Sequence, residues 1–225
     1  MRKNRNTEAS AHAQPALLPE ACRRLLRQYT AADPKAVGEA MQTYCALIQR
    51  WNPVASLVSS RDALRLESHV ADSLSLLPAV QKYGGPSPRL FDIGSGAGFP
   101  ALPLALACRE LSFRLTERAR KKSGFLELAL GELGLLERGK VSAGAFPQEV
   151  RLESPAGWLI TARAVEKPET VWKGIRELVR EGAVFLCQWS ELPGEAVGMF
   201  HVERIADEWN GQGLRRGVLH IVRAG

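Results

Sequence analysis

The residues best suited to chemistry lie in one run, Phe91-Asp92-Ile93-Gly94-Ser95-Gly96-Ala97-Gly98-Phe99-Pro100, with Glu117 standing 23 positions beyond Gly94. Closely spaced glycines after a short apolar run let a backbone turn tightly and approach a ligand. Asp92, just ahead of the turn, can face an ammonium or a sulfonium. Glu117 closes the next apolar run, where an acid can accept two hydrogen bonds from ribose hydroxyls. The dinucleotide fingerprint needs a third close-packing glycine where this chain has Phe99 and then Pro100, which disfavours a pyrophosphate. Asp92, Gly94, Gly96, Gly98 and Glu117 therefore point to S-adenosylmethionine. The alternative is an ordinary turn between strand and helix, followed by a surface glutamate.

Arg163 follows the apolar run 158–161 and faces the same crevice. It suits either the methionine carboxylate or an RNA phosphate, or it is a surface arginine. His69 and Asp72 are three apart, on one helical face. They either border the pocket of a target base or join the helical front to the sheet. His12, His201 and His220 have no partner in sequence, and Trp51 and Trp189 read as core. Cys22, Cys45, Cys108 and Cys187 are widely spaced, which argues against a zinc ribbon or a disulfide scaffold and suits a reducing cytoplasm. No metal site is expected.

These residues need elements to position them. Residues 1–15 read as a disordered basic tail. Three amphipathic helices follow: one from Leu17, closed by Pro34; a second over 36–51, stopped by Asn52-Pro53; a third over 63–80. Together they make a helical cap over 16–85, ending at Gly84-Gly85-Pro86. From 86 to 225 the period changes to alternating strand and helix. Strands are expected at 90–93, 113–116, 141–143, 158–161 and 183–189, and helices at 101–108, around Phe125–Leu133 with Gly134 as C-cap, and at 169–179. That alternation is the signature of a parallel sheet covered on both faces, an α/β Rossmann-like core. Segments 200–205 and 218–222 read as an antiparallel hairpin at one edge.

The chain has 225 residues, 45% hydrophobic and 24% charged, with a net charge of +6. This composition excludes wholesale disorder. No apolar run is long enough for a membrane helix, because Pro100 and Pro103 break the best candidate, and no secretory signal opens the chain. A basic balance favours polyanionic partners. Arg118, Arg120, Lys121 and Lys122 cluster directly after Glu117 and are expected to form an RNA-facing rim.

Several motifs together resemble the small-subunit ribosomal RNA guanine-N7 methyltransferases, known as methyltransferase G or GidB. They are Trp51-Asn52, His69-Val70-Ala71-Asp72-Ser73-Leu74, Asp92 to Pro100 with Pro103-Leu104-Ala105, Lys121-Lys122, Leu133-Gly134-Leu135 and Thr161-Ala162-Arg163-Ala164. The resemblance covers about four-fifths of the chain. It implies a class I S-adenosylmethionine-dependent fold and methyl transfer to N7 of a guanine in small-subunit (16S) ribosomal RNA; a cytoplasmic monomer is expected. It also implies cofactor contacts at Gly94, Phe99 and Arg163, with Ala145 and Phe146 flanking the adenine. No catalytic side chain is assigned. The chain departs from the family pattern at Ser68, Ser56-Leu57-Val58, Ala101, Gly144, Phe146 and Gln188. A small-molecule methyltransferase and a non-catalytic nucleotide- or RNA-binding module are the rival readings.

Overall fold

The computed structural model describes residues 18–163, 168–205 and 218–225. The expected tail at 1–15 and Ala164 lie outside them. Helix α1 spans Glu20–Tyr29 and α2 spans Pro34–Ala55. Pro34 does not close the first helix; it opens the second. Asp33 caps α2, its side chain accepting from the N–H groups of Lys35 (3.1 Å) and Ala36 (3.4 Å), and proline at the first helical position forfeits only an orphan donor. Pro53 does not stop the helix. It sits exposed in the last turn. The stop comes at Ser56, which is left-handed (φ 49°), while the Asn52 side chain accepts from Val58 N–H at 2.9 Å.

The expected single helix over 63–80 is three: α3 Ser60–Ala63, α4 Leu66–Leu74 and α5 Leu77–Gly84. Pro78 cannot continue α4 and instead lies in the first turn of α5. Ser75 Oγ donates to the Asp72 carbonyl at 2.6 Å, occupying an acceptor at the end of α4.

The sheet follows the alternation. Strands β1 (Arg89–Ile93), β2 (Ser112–Glu117), β3 (Gly139–Ala143), β4 (Trp158–Thr161) and β5 (Val184–Cys187) pair in parallel. Strands β6 (His201–Ile205) and β7 (Leu219–Arg223) form the expected antiparallel hairpin, with β7 against β5, giving the order β3-β2-β1-β4-β5-β7-β6. Helices α6 (Ala101–Ala107), α7 (Arg120–Glu132) and α8 (Pro168–Arg180) link the parallel strands, and α9 (Gly194–Met199) precedes β6. After α7, Gly134 (φ 66°) makes the turn that lets Leu135 N–H bond back to Leu130 O at 2.8 Å.

Two apolar cores lie on opposite sheet faces. Leu90, Phe113, Leu115 and Leu159 pack with α6, α7 and the cap helices in one continuous cluster. Phe91, Ile160 and Phe185 pack with Trp172 and Ile175 of α8 on the other face. Strand order reverses between β1 and β4, so a crevice opens at their carboxyl ends, where open α/β sheets bind ligands.

Candidate functional site at the carboxyl edge of the sheet

The Gly-rich turn leaves β1 at this reversal point and is fastened to the end of β2. Ser95 N–H donates to Thr116 O at 2.9 Å and Gly94 N–H to Thr116 Oγ1 at 3.2 Å. Glu117, 7% exposed, accepts from Gly96 N–H at 2.9 Å and from Ala119 N–H at 2.8 Å, one bond to each carboxylate oxygen. One acid thus holds both the turn and the start of α7. Gly96 has φ 57°, and a Cβ built on it would meet only Gly94 O, at 3.9 Å. The backbone is left-handed there and open space lies beside it. Gly98 serves packing instead, because a Cβ there would lie 2.5 Å from Leu102 Cδ1.

Asp92 is 1% exposed. Its Oδ1 accepts from Thr161 Oγ1 at 2.6 Å across the β1–β4 pair, and its Oδ2 is buried without a hydrogen-bond partner. Burial pushes the Asp92 carboxyl up to about 7, against the hydroxyls of Thr161 and Ser95 and the positive charge of Arg163. An orphaned buried carboxylate oxygen beside an open glycine turn fits a cationic ligand. A phosphate does not fit. Leu102 N–H is bonded to Gly98 O, Leu104 N–H to Pro100 O, and Pro100 and Pro103 have no N–H, so the short α6 has little to offer an anion.

Phe99 is a hub rather than an open contact. Its ring, in a residue 5% exposed, meets Tyr44 at 5.2 Å and His69 at 5.4 Å between centroids, and the Arg163 guanidinium lies over it at 4.9 Å. Tyr44 Oη donates to Ala97 O at 2.8 Å, tying α2 to the turn. Arg163 donates to Asp72 Oδ2 at 3.1 Å, and Gln188, directly after β5, donates to the same oxygen at 3.3 Å. His69 lies 3.3 Å from Asp62 of α3. The His69–Asp72 helix face therefore does join the cap to the sheet, and it does so at the mouth of the crevice.

Ala145 and Phe146 lie beyond β3. Ala145 N–H donates to Glu149 Oε2 at 2.7 Å, so a carboxylate reaches this position from four residues downstream. The Phe146 ring packs on Phe91 at 5.8 Å in the second core. Sequence reasoning missed Tyr44 and Glu149, because each acts through a contact that no local motif signals, and it named Thr161 within a motif without its bond to Asp92. Trp189 is core as expected, with its indole N–H on Ala162 O at 2.7 Å. The basic rim lies beside Glu117. Arg118, Arg120 and Lys121 are exposed and Lys122 is half-buried.

Comparison with known proteins gives this geometry a context. A solved structure of a putative S-adenosyl-L-methionine-dependent methyltransferase from Methanococcus maripaludis is similar in fold, with a TM-score of 0.54 at 14% identity over 80% of this chain and 91% of that one. A ribosomal RNA small subunit methyltransferase G from Methylobacillus flagellatus is 33% identical over 77% of this chain and 81% of its own length. A protein of the same name from Coxiella burnetii is 29% identical over 81% of this chain and 86% of its own. The family model for rRNA small subunit methyltransferase G matches residues 38–195, a span that runs from α2 through the Gly-rich turn, Glu117, Arg163 and Gln188. This chain belongs to the rRNA small subunit methyltransferase G family, GidB.

Proposed function

We propose that this protein transfers a methyl group from S-adenosylmethionine to N7 of a guanine in small-subunit (16S) ribosomal RNA. The observation that carries the reading is the turn 94–98, pinned to Glu117 beside the buried Asp92, inside the span that matches the family. When bound, the cofactor supplies an electrophilic methyl on a sulfonium. Glu117 would hold the ribose, Asp92 would face the cationic methionine end, and Gly94 and Gly96 would line the path between them, while Gly98, expected there too, packs against Leu102. Phe99 holds the turn through its ring contacts. Ala145 and Phe146 would border the adenine through backbone, since the Phe146 side chain belongs to the core.

Guanine N7 carries a lone pair and no proton, so its attack on the methyl carbon requires no general base. What the chain must supply is alignment and exclusion of water. That agrees with the chemistry of the thiols. Burial pushes Cys187 up to about 12 and Cys45 up to about 12, far from a nucleophile's range. No His/Cys/Asp/Glu group able to hold a metal ion occurs among the described residues.

Transfer of labelled methyl from the cofactor to small-subunit RNA, assembled subunits or a metabolite extract separates the readings. Label in RNA or subunits is the expected outcome. Label only in metabolites favours a small-molecule enzyme, and none anywhere favours a non-catalytic module.

A further inference from the structure

The crevice at the carboxyl edge has two halves. On the β2 side stand Glu117 and the start of α7. On the β4–β5 side, beyond Phe99, stand Arg163 and Gln188, and α4 brings Asp72 over them. If the cofactor occupies the first half and reaches as far as Arg163, whose guanidinium has donors enough for two partners, the methyl acceptor enters by the second. We propose that Asp72, Arg163 and Gln188 form the guanine-recognition site, with the Asp72 carboxylate accepting from base N1–H and N2–H and the Arg163 and Gln188 side chains donating to O6. This rests on the guanine-N7 reading above and names how that base is chosen.

The donor and acceptor pattern is the reason. A carboxylate with a guanidinium and an amide within 3.1 and 3.3 Å of one of its oxygens presents acceptors beside donors. The Watson–Crick edge of guanine presents donors at N1 and N2 and an acceptor at O6, the complementary set. Adenine presents an acceptor at N1 and a donor at N6, which would set a lone pair against the carboxylate. Holding guanine by this edge leaves N7 uncontacted, as a nucleophilic nitrogen must be. The side chains of Asp72 and Arg163 are 12% and 17% exposed, sheltered but still reachable. In the free protein the three groups satisfy one another, and an arriving base would exchange those internal bonds for its own. A merely adhesive contact between α4 and the sheet is served as well by apolar packing, without the cost of desolvating a charged pair.

The test uses the full chain with S-adenosylhomocysteine present and a short single-stranded RNA whose one purine is guanosine, or inosine, which lacks the N2 amino group. Fluorescence anisotropy gives both affinities. Wild type is expected to prefer guanosine by about 10-fold or more, the value of one hydrogen bond to a charged group. Asp72→Asn should bring that ratio close to one. Gln188→Leu should weaken both RNAs by a similar factor and preserve the ratio, since both carry O6. An Asp72→Asn protein with the wild-type ratio, or a Gln188→Leu protein with unaltered affinities, overturns the assignment. If Asp72→Asn does not fold by circular dichroism, the Gln188→Leu affinities decide. Methyl transfer by wild type to the same guanosine RNA separates the two levels. N7 methylation without the guanosine preference sinks only the recognition site, whereas the absence of any N7 methylation on RNA or subunits sinks the parent reading with it.

Discussion

Asp92 carries the clearest dependence on pH. Its carboxyl is raised from an ordinary 3.8 to about 7, with burial the largest cause. The native state therefore holds a proton that the unfolded chain has already released. Asp92's contribution to stability is full below the unfolded value, falls as pH rises towards about 7, and is flat above it. Asp92→Asn should remove that decline, measured as denaturant midpoints across the range. Cofactor binding should run the opposite way, because a cation gains from an ionised Asp92. Affinity by calorimetry should rise between about pH 6 and about pH 8 in wild type and stay level in Asp92→Asn. Equal slopes would take Asp92 away from the cationic end of the ligand. Glu117 gives a second test at this scale. Glu117→Ala removes the expected ribose acceptor and releases Gly96 N–H, so binding should weaken by about 2 kcal/mol. Unchanged affinity would remove Glu117 from the site.

Helix α7 begins with Arg120, Lys121 and Lys122; its N-cap residue Ala119 supplies no side-chain cap, and Glu117 meets only the Ala119 N–H. Cations there oppose the helix dipole, so a polyanion is a natural partner. Reversing Lys121 and Lys122 to Glu should lower RNA affinity and flatten the salt dependence by about 0.7 in log–log slope for each phosphate no longer neutralised, with cofactor affinity nearly unchanged. An unaltered slope would make this end of α7 an ordinary solvated terminus. How much of the architecture could be read from sequence also divides by element. β1, the Gly-rich turn, β2 and α7 were legible because period, glycines and a closing acid all lie close together along the chain. The cap was less so. Pro53 and Pro78 look alike as breakers, yet one rides in a last exposed turn and the other opens a new helix, a difference set by what surrounds them. The Asp72–Arg163–Gln188 cluster joins residues 91 and 116 positions apart, so sequence supplied the members but not their meeting. Phe99, a cofactor contact by resemblance, is in addition the ring on which Tyr44, His69 and Arg163 converge, which the sequence did not signal.

At the scale of the whole molecule, the cap and the sheet share one hydrophobic cluster, so the crevice between them is built by the fold rather than by loops alone. Beside that crevice Arg118, Arg120 and Lys121 are exposed, on a chain of net charge +6. The proposed cofactor half, the proposed base half and the basic residues Arg118, Arg120 and Lys121 all lie at one edge of the sheet, the arrangement the proposed RNA methylation needs. The most direct measurement is base-resolved mapping of N7-methylguanine, by borohydride reduction and chain cleavage, in small-subunit RNA incubated as naked RNA and as assembled subunits with this protein and S-adenosylmethionine. The account predicts a cleavage at one guanine that is absent without cofactor and weakened about 30-fold with Glu117→Ala at limiting cofactor. Methylation at another atom or another base, or no methylation of either form of the RNA, would contradict it.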